Sequence, residues 1–199
     1  MTAPIDLTDL FGEGWCVTVT PLPVDDALRT MGVEDPAPMP EGLSAASQRL
    51  ATPTPGAGGV LLLARPAAPG WSLILELEGT TGWVGVDDDI LGALSTDTGT
   101  ACTIVRDPNK IEAWFAVHGR TVGGISTVTG RRWGPLTPRL SSALTDLGYP
   151  DDPDDEPTSD IETWTYSQAA ALVLHAATGV HLPHDMTTAP WTGGQTTLN

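Results

Sequence analysis

Between residues 70 and 86 the chain reads GWSLILELEGTTGWVGV, and Leu73, Leu75 and Leu77 alternate there with Ile74, Glu76 and Glu78. One face of this run is wholly apolar, and the other turns polar toward the segment Glu78-Gly79-Thr80-Thr81-Gly82. The alternation predicts a β-hairpin with its turn at residues 78–82, around which the remaining segments add strands to a sheet or helices that cover it. Upstream, Trp15, Val17 and Val19 alternate with Cys16, Thr18 and Thr20, which predicts a first strand. Val24, Ala27, Leu28 and Met31 then recur at helical spacing, with Asp25 and Asp26 in the first turn and Gly32 just past the end. Three prolines make residues 34–40 a loop, and Leu43, Ala46 and Leu50 suggest a weaker helix. The run ATPTPGAGG at 51–59 predicts a mobile connector, because proline removes donors and glycine costs backbone entropy. Residues 60–64 have the length of a strand and return through a turn at 66–70.

Downstream, Asp87, Asp88 and Asp89 precede Ile90, Leu91 and Leu94 at helical spacing, so they predict a capped helix start rather than a metal site. A strand at 101–105 is followed by the alternation of Ile111, Ala113, Phe115 and Val117, a turn at 118–120 and a returning arm at 121–128. Gly123-Gly124 in that arm predicts a bulge or a close backbone approach. Thr137 and Pro138 open a helix with Leu140, Ala143, Leu144 and Leu147 on one face, and Gly148 and Pro150 close it. A last, well buried helix is expected at 167–178, ended by Gly179. Together these elements predict one α+β domain over residues 1–185, with an antiparallel sheet of about six strands in two hairpin meanders and four to five covering helices. Residues 186–199 are expected to be a poorly ordered tail.

Charge narrows the possible functions. The chain carries 25 acidic and 9 basic residues, a net charge of −16. Eight carboxylates, Asp146, Asp151, Asp152, Asp154, Asp155, Glu156, Asp160 and Glu162, fall between Leu144 and Thr163, most of them in an expected acidic loop at 150–163, with no cation among them. Such a run repels itself and any phosphate backbone, so nucleic acid is not an expected partner. The two cysteines, Cys16 and Cys102, have no metal-ligand spacing and are expected as buried free thiols. The first residues carry no basic and apolar leader pattern, and no apolar run approaches the roughly 18 residues of a membrane span. A soluble, cytoplasmic protein without membrane contact is expected.

The GWC strand, the GW-containing hairpin with Gly70-Trp71 and Gly82-Trp83, the Arg131-Arg132-Trp133-Gly134 segment and Thr178-Gly179-Val180 occur in an order that resembles a family of uncharacterised actinobacterial proteins catalogued only as a domain of unknown function. The resemblance implies a source and a compact α+β fold. It carries no reaction and no catalytic residue.

Few constellations could hold chemistry. His175, His181 and His184, with Asp185, lie close in sequence but lack the helical spacing of a zinc motif. Glu76 and Glu78 share a strand face, which reads as a solubilising edge rather than as paired catalytic acids. Ser44, Ser47, Ser95 and Ser126 lie in no nucleophile-elbow setting, and no phosphate-loop signature is present. Arg131, Arg132 and Trp133 form a basic, aromatic segment of the type enriched at recognition surfaces, or else a core tryptophan with arginines that pair the acidic loop. The expected function is a soluble acidic binding or regulatory protein without catalysis, cofactor or metal, of which an immunity-type neutraliser of a basic protein partner is one form. Asp151, Asp152, Asp154, Asp155, Glu156, Arg131, Arg132 and Trp133 are its candidate contacts. The alternatives are a small hydrolase or transferase with a cleft near Trp71, Glu76 and Trp83, and a nucleic-acid mimic.

Overall fold

A computed structural model describes residues 3–44, 59–77, 83–96, 99–151, 163–188 and 190–197. Nine strands among them form one antiparallel sheet. In chain order the elements are α1 (Leu7–Phe11), β1 (Trp15–Thr20), α2 (Val24–Thr30), β2 (Ala37–Met39), β3 (Gly59–Ala68), β4 (Trp71–Leu77), a 3-10 turn (Val84–Val86), α3 (Asp88–Ser95), β5 (Thr100–Asp107), β6 (Lys110–Val117), β7 (Arg120–Ser126), β8 (Arg132–Trp133), α4 (Pro138–Asp146), α5 (Tyr166–Thr178) and β9 (Trp191–Thr197). Across the sheet the strands run β2-β9-β3-β4-β1-β5-β6-β7-β8, and the sheet is open.

β1 lies at the centre, between β4 and β5, and all six of its residues are buried. Its alternation therefore separates two covered faces rather than core from solvent. Trp15, Val17 and Val19 join Leu73, Leu75, Ile104, Ala113 and Phe115 in a core closed by α1, α4 and α5. On the opposite face Leu62, Ile74, Ala101 and Ala116 meet Ala27 and Leu28 of α2, Met31 just after it, and Leu91 and Leu94 of α3. The result is three layers, with helices on both faces of the sheet.

Local chemistry explains the helix boundaries. Asp87 caps α3 by accepting from the amides of Asp89 and Ile90. Thr137 caps α4, with Pro138 in its first turn. Thr165 and Gln168 form a reciprocal capping box on α5, and Gly179 ends it in a left-handed conformation. At the β6–β7 turn both His118 (φ 52°) and Gly119 (φ 78°) are left-handed, the geometry that suits a two-residue hairpin turn. The register shifts between Phe115 and Ala116, opposite the expected irregularity at Gly123-Gly124.

Several expectations are corrected. The sheet has nine strands, not about six. Residues 83–86 are not the second arm of a hairpin but lead into a 3-10 turn, and β4 instead pairs with β3 and β1. Strand β3 continues past Pro66 to Ala68, which shortens the expected turn. The proline-rich loop at 34–40 contains β2, an edge strand where Pro38 can sit opposite Thr192 on β9. The expected poorly ordered tail supplies β9, which pairs with β3 from Gly59–Thr197 to Ala64–Thr192. Gly193 is needed there because a Cβ would stand 2.6 Å from the Leu62 carbonyl oxygen. The expected hairpin turn at 78–82, the connector over 51–58 and most of the weaker helix at 43–50 lie outside the described residues.

Leu75 is fully buried between Leu63 and Val17 on neighbouring strands. Leu75→Ala is expected to cost about 2–5 kcal/mol, from lost transfer energy and a residual cavity. A denaturant melt would check this, and a change below about 0.5 kcal/mol would contradict the packing of that face.

Candidate functional site

The most unusual side chain lies at the centre of the sheet. β4 places Glu76 opposite Cys16 of β1 and Leu62 of β3, on the face roofed by the 3-10 turn, and the residue is completely buried. Its Oε2 accepts from the Val84 amide at 2.7 Å and its Oε1 from the Gly85 amide at 2.8 Å. The Cys16 thiol bonds the same carboxylate. Beside it the hydroxyls of Thr18 and Thr103 bond each other at 2.7 Å. A Cβ on Gly85 would stand 2.5 Å from Thr18 Oγ1 and 2.8 Å from Glu76 Oε1, so only glycine lets the turn approach this closely.

Burial pushes Glu76 up to about 7, against the opposing pull of the Cys16 thiol and the two amides. Burial, reinforced by the charge of Glu76, pushes Cys16 well up, and burial alone raises Cys102. Both cysteines are free, buried thiols, as expected, and neither is poised as a thiolate nucleophile. The supposed cleft of Trp71, Glu76 and Trp83 does not assemble. Trp71 packs against the α5 side of the sheet, Glu76 faces the other side, and the Trp83 indole donates to Asp107 at 2.8 Å. Glu76 was missed as a core residue because polar alternation on one strand reads as exposure. The available signal was that Cys16, Thr18 and Thr20 on β1 are also weakly polar, so polar faces could meet.

At the far edge of the sheet Arg132 is absorbed by the fold. It pairs with Asp151, donates to the Tyr149 carbonyl at 2.6 Å and to Thr145 Oγ1 at 3.1 Å, and so ties β8 to the end of α4. Trp133 is half-buried and meets Trp114 edge-to-face at 5.1 Å. Arg131 is exposed. Asp152, Asp154, Asp155 and Glu156 lie outside the described residues.

Further exposed carboxylates belong to α2, to the segment after it and to α3, and the two helices pack against each other. Asp25 and Asp26 occupy the first turn of α2, Glu34 and Asp35 follow it, and Asp87, Asp88 and Asp89 open α3; all are exposed. Helix dipoles favour the carboxylates at the starts of α2 and α3. Arg29 pairs with Asp26 at 3.6 Å, while Arg65, Arg106 and Lys110 pair with carboxylates elsewhere. Near the end of α5, His175 and His181 stack with ring centroids 3.6 Å apart. Among the described residues no group of three side chains is arranged to hold a metal, and no helix is long and apolar enough to cross a membrane.

Comparison with family models, curated proteins and solved structures finds no match to the chain.

The Glu76 site generates a pH dependence. Its carboxyl is raised from 4.5 to about 7 on folding, so between these values the native state holds a proton that the unfolded chain has released. Stability then falls as pH rises from about 4.5 to 7 and levels off above, by roughly 3 kcal/mol from this group. Denaturant melts at about pH 5 and pH 8 should show this loss in the wild type and a much smaller loss in Glu76→Gln. Equal pH dependence in both proteins would contradict the assignment.

Proposed function

We propose that the protein is a non-catalytic, cytoplasmic binding protein that takes a basic protein partner on its acidic surface, in the manner of an immunity-type neutraliser. The observation that carries this reading is the set of exposed carboxylates at Asp25, Asp26, Glu34, Asp35, Asp87, Asp88 and Asp89, on a chain of net charge −16. Self-repulsion among them opposes folding, and a basic partner relieves it. The acidic segment with Asp151, Asp152, Asp154, Asp155 and Glu156 belongs to the same proposal, as does Arg131 on the rim. Arg132 and Trp133 contribute by holding the edge strand rather than by contact. The non-catalytic reading is supported by Glu76, whose two oxygens are already occupied, and by cysteines held as thiols.

Charge-driven association is fast and weakens as salt shortens the screening length from about 10 Å at 0.1 M to about 3 Å at 1 M. A partner recovered from the native host is expected to elute with salt and to bind at least about tenfold more weakly to a variant with Asp25, Asp26, Asp88 and Asp89 changed to Asn. The same test applied to the five acids between residues 151 and 156 separates the two surfaces. Binding unchanged in affinity and salt dependence in both variants would overturn the proposal. Displacement of the partner by duplex DNA would instead favour the nucleic-acid mimic.

A further inference from the structure

The last turn of α5 and the segment after it build a site separate from the acidic surface. Ala171, Leu172 and His175 share one side of α5 at helical spacing. Gly179 then reverses the chain, which brings the His181 ring back onto that of His175 at an interplanar angle of 16°. The opposite wall is residues 3–5, and it is anchored. Gln168 donates to the Pro4 carbonyl at 3.4 Å, and Ser167 Oγ accepts from the Leu7 amide at 2.8 Å. Between these walls lies a cleft of about 460 Å³, lined by Pro4, Ile5, Leu172 and Leu182 and by the imidazoles of His175, His181 and His184. Its size falls within the range of about 300–1,000 Å³ that holds small ligands.

We infer that this cleft binds a small molecule with an apolar body and one carboxylate. The apolar wall takes the body. Imidazoles are the ionisable side chains of the lining, and when protonated they become donors that bind a carboxylate. Among the described residues, the other charged groups on the surrounding segments are turned elsewhere. Asp6 accepts from Thr165 Oγ1 at 2.6 Å and from the Thr8 amide at 3.0 Å. Asp185 is paired with Arg65 at 2.9 Å, whose hydrogen bond holds it below the usual carboxylate range. Asp9 is exposed on α1. A cationic ligand therefore meets no carboxylate in the lining. A metal ion is disfavoured by geometry as well, because imidazole lone pairs lie in the ring planes and two nearly parallel rings do not converge on one point.

The stacked pair also supplies a signature. Burial and the neighbouring His181 hold His175 below the ordinary imidazole value, against the backbone at Val180. A bound carboxylate supplies the missing counter-charge, so binding takes up a proton and tightens as pH falls.

Octanoate is the probe, with octylamine as control, in calorimetric titrations between about pH 6 and pH 8. The expected result is octanoate binding at pH 6 that weakens by up to about tenfold per pH unit, with no octylamine binding. Leu172→Trp fills the cleft and should abolish binding, and the triple change His175→Asn, His181→Asn and His184→Asn should remove the pH dependence. Imidazole proton resonances of the wild type give a reading independent of any variant's folding, since their titration should move to higher pH on adding octanoate. No octanoate binding at pH 6, equal binding of octylamine, or a pH dependence retained in the triple variant would overturn the inference. Loss of this site would leave the basic-partner proposal intact, because Asp25, Asp26, Asp88 and Asp89 do not line the cleft.

Discussion

A carboxylate buried in the middle of a β-sheet governs how one helical layer meets that sheet. Ionised side chains removed from water are costly unless hydrogen-bonded, and Glu76 meets that demand with two backbone amides and a thiol. The dependence runs both ways. The amides of Val84 and Gly85 are buried with it, and without the carboxylate they would lose their partners. Among the described residues no cation reaches Glu76, so burial prevails over the hydrogen bonds and its proton is held to near neutrality. The tie fixes the 3-10 turn on the sheet, and Asp87 follows at once to cap α3, so the position of the helix is set from the strand beneath it.

Further bonds continue the same attachment. Thr20 donates to the Leu94 carbonyl at the end of α3, Ser95 Oγ accepts from the Gly119 amide at 2.8 Å, and Thr121 donates to the Asp88 carbonyl at 2.9 Å. Strand hydroxyls thus hold α3 at both ends, while Leu91 and Leu94 supply the apolar contact between them. The opposite layer is built differently: α5 lies on β5 and β6 through an almost wholly apolar helix, with polar ties concentrated at its capped start. The carboxylates that open α2 and α3 are left in solvent, which is where the acidic surface comes from.

The sequence was most legible where one local signal decided the outcome. Thr137-Pro138, Asp87 and Gly179 mark helix ends by capping chemistry that needs no knowledge of neighbours, and all three lie where that chemistry puts them. It was least legible where a distant segment decided. Nothing local marks TGGQ near the end of the chain as a strand, since its glycines are required by contact with β3 and with Val33 after α2. Glu76 was misread for the same reason: a period of two distinguishes two faces but not whether the second is wet or covered. Trp83 and Val84 looked extended because β-branched and aromatic residues favour strands, yet the carboxylate beneath them captures successive amides and curls the backbone into a turn. Of the candidate contact residues, Arg132 and Trp133 were visible as a pair, but their engagement with Asp151 and Trp114 depends on the β8 edge.

The Glu76 carboxylate holds the 3-10 turn to the sheet. Native-state hydrogen exchange at the Val84 and Gly85 amides tests it most directly, because local opening of the turn would expose them without global unfolding. Both amides should exchange as slowly as those of central strand β1 in the wild type, and Glu76→Ala should speed them selectively while β1 remains protected. Rapid exchange at these two amides in the wild type, or equal loss of protection across β1 in the variant, would contradict it.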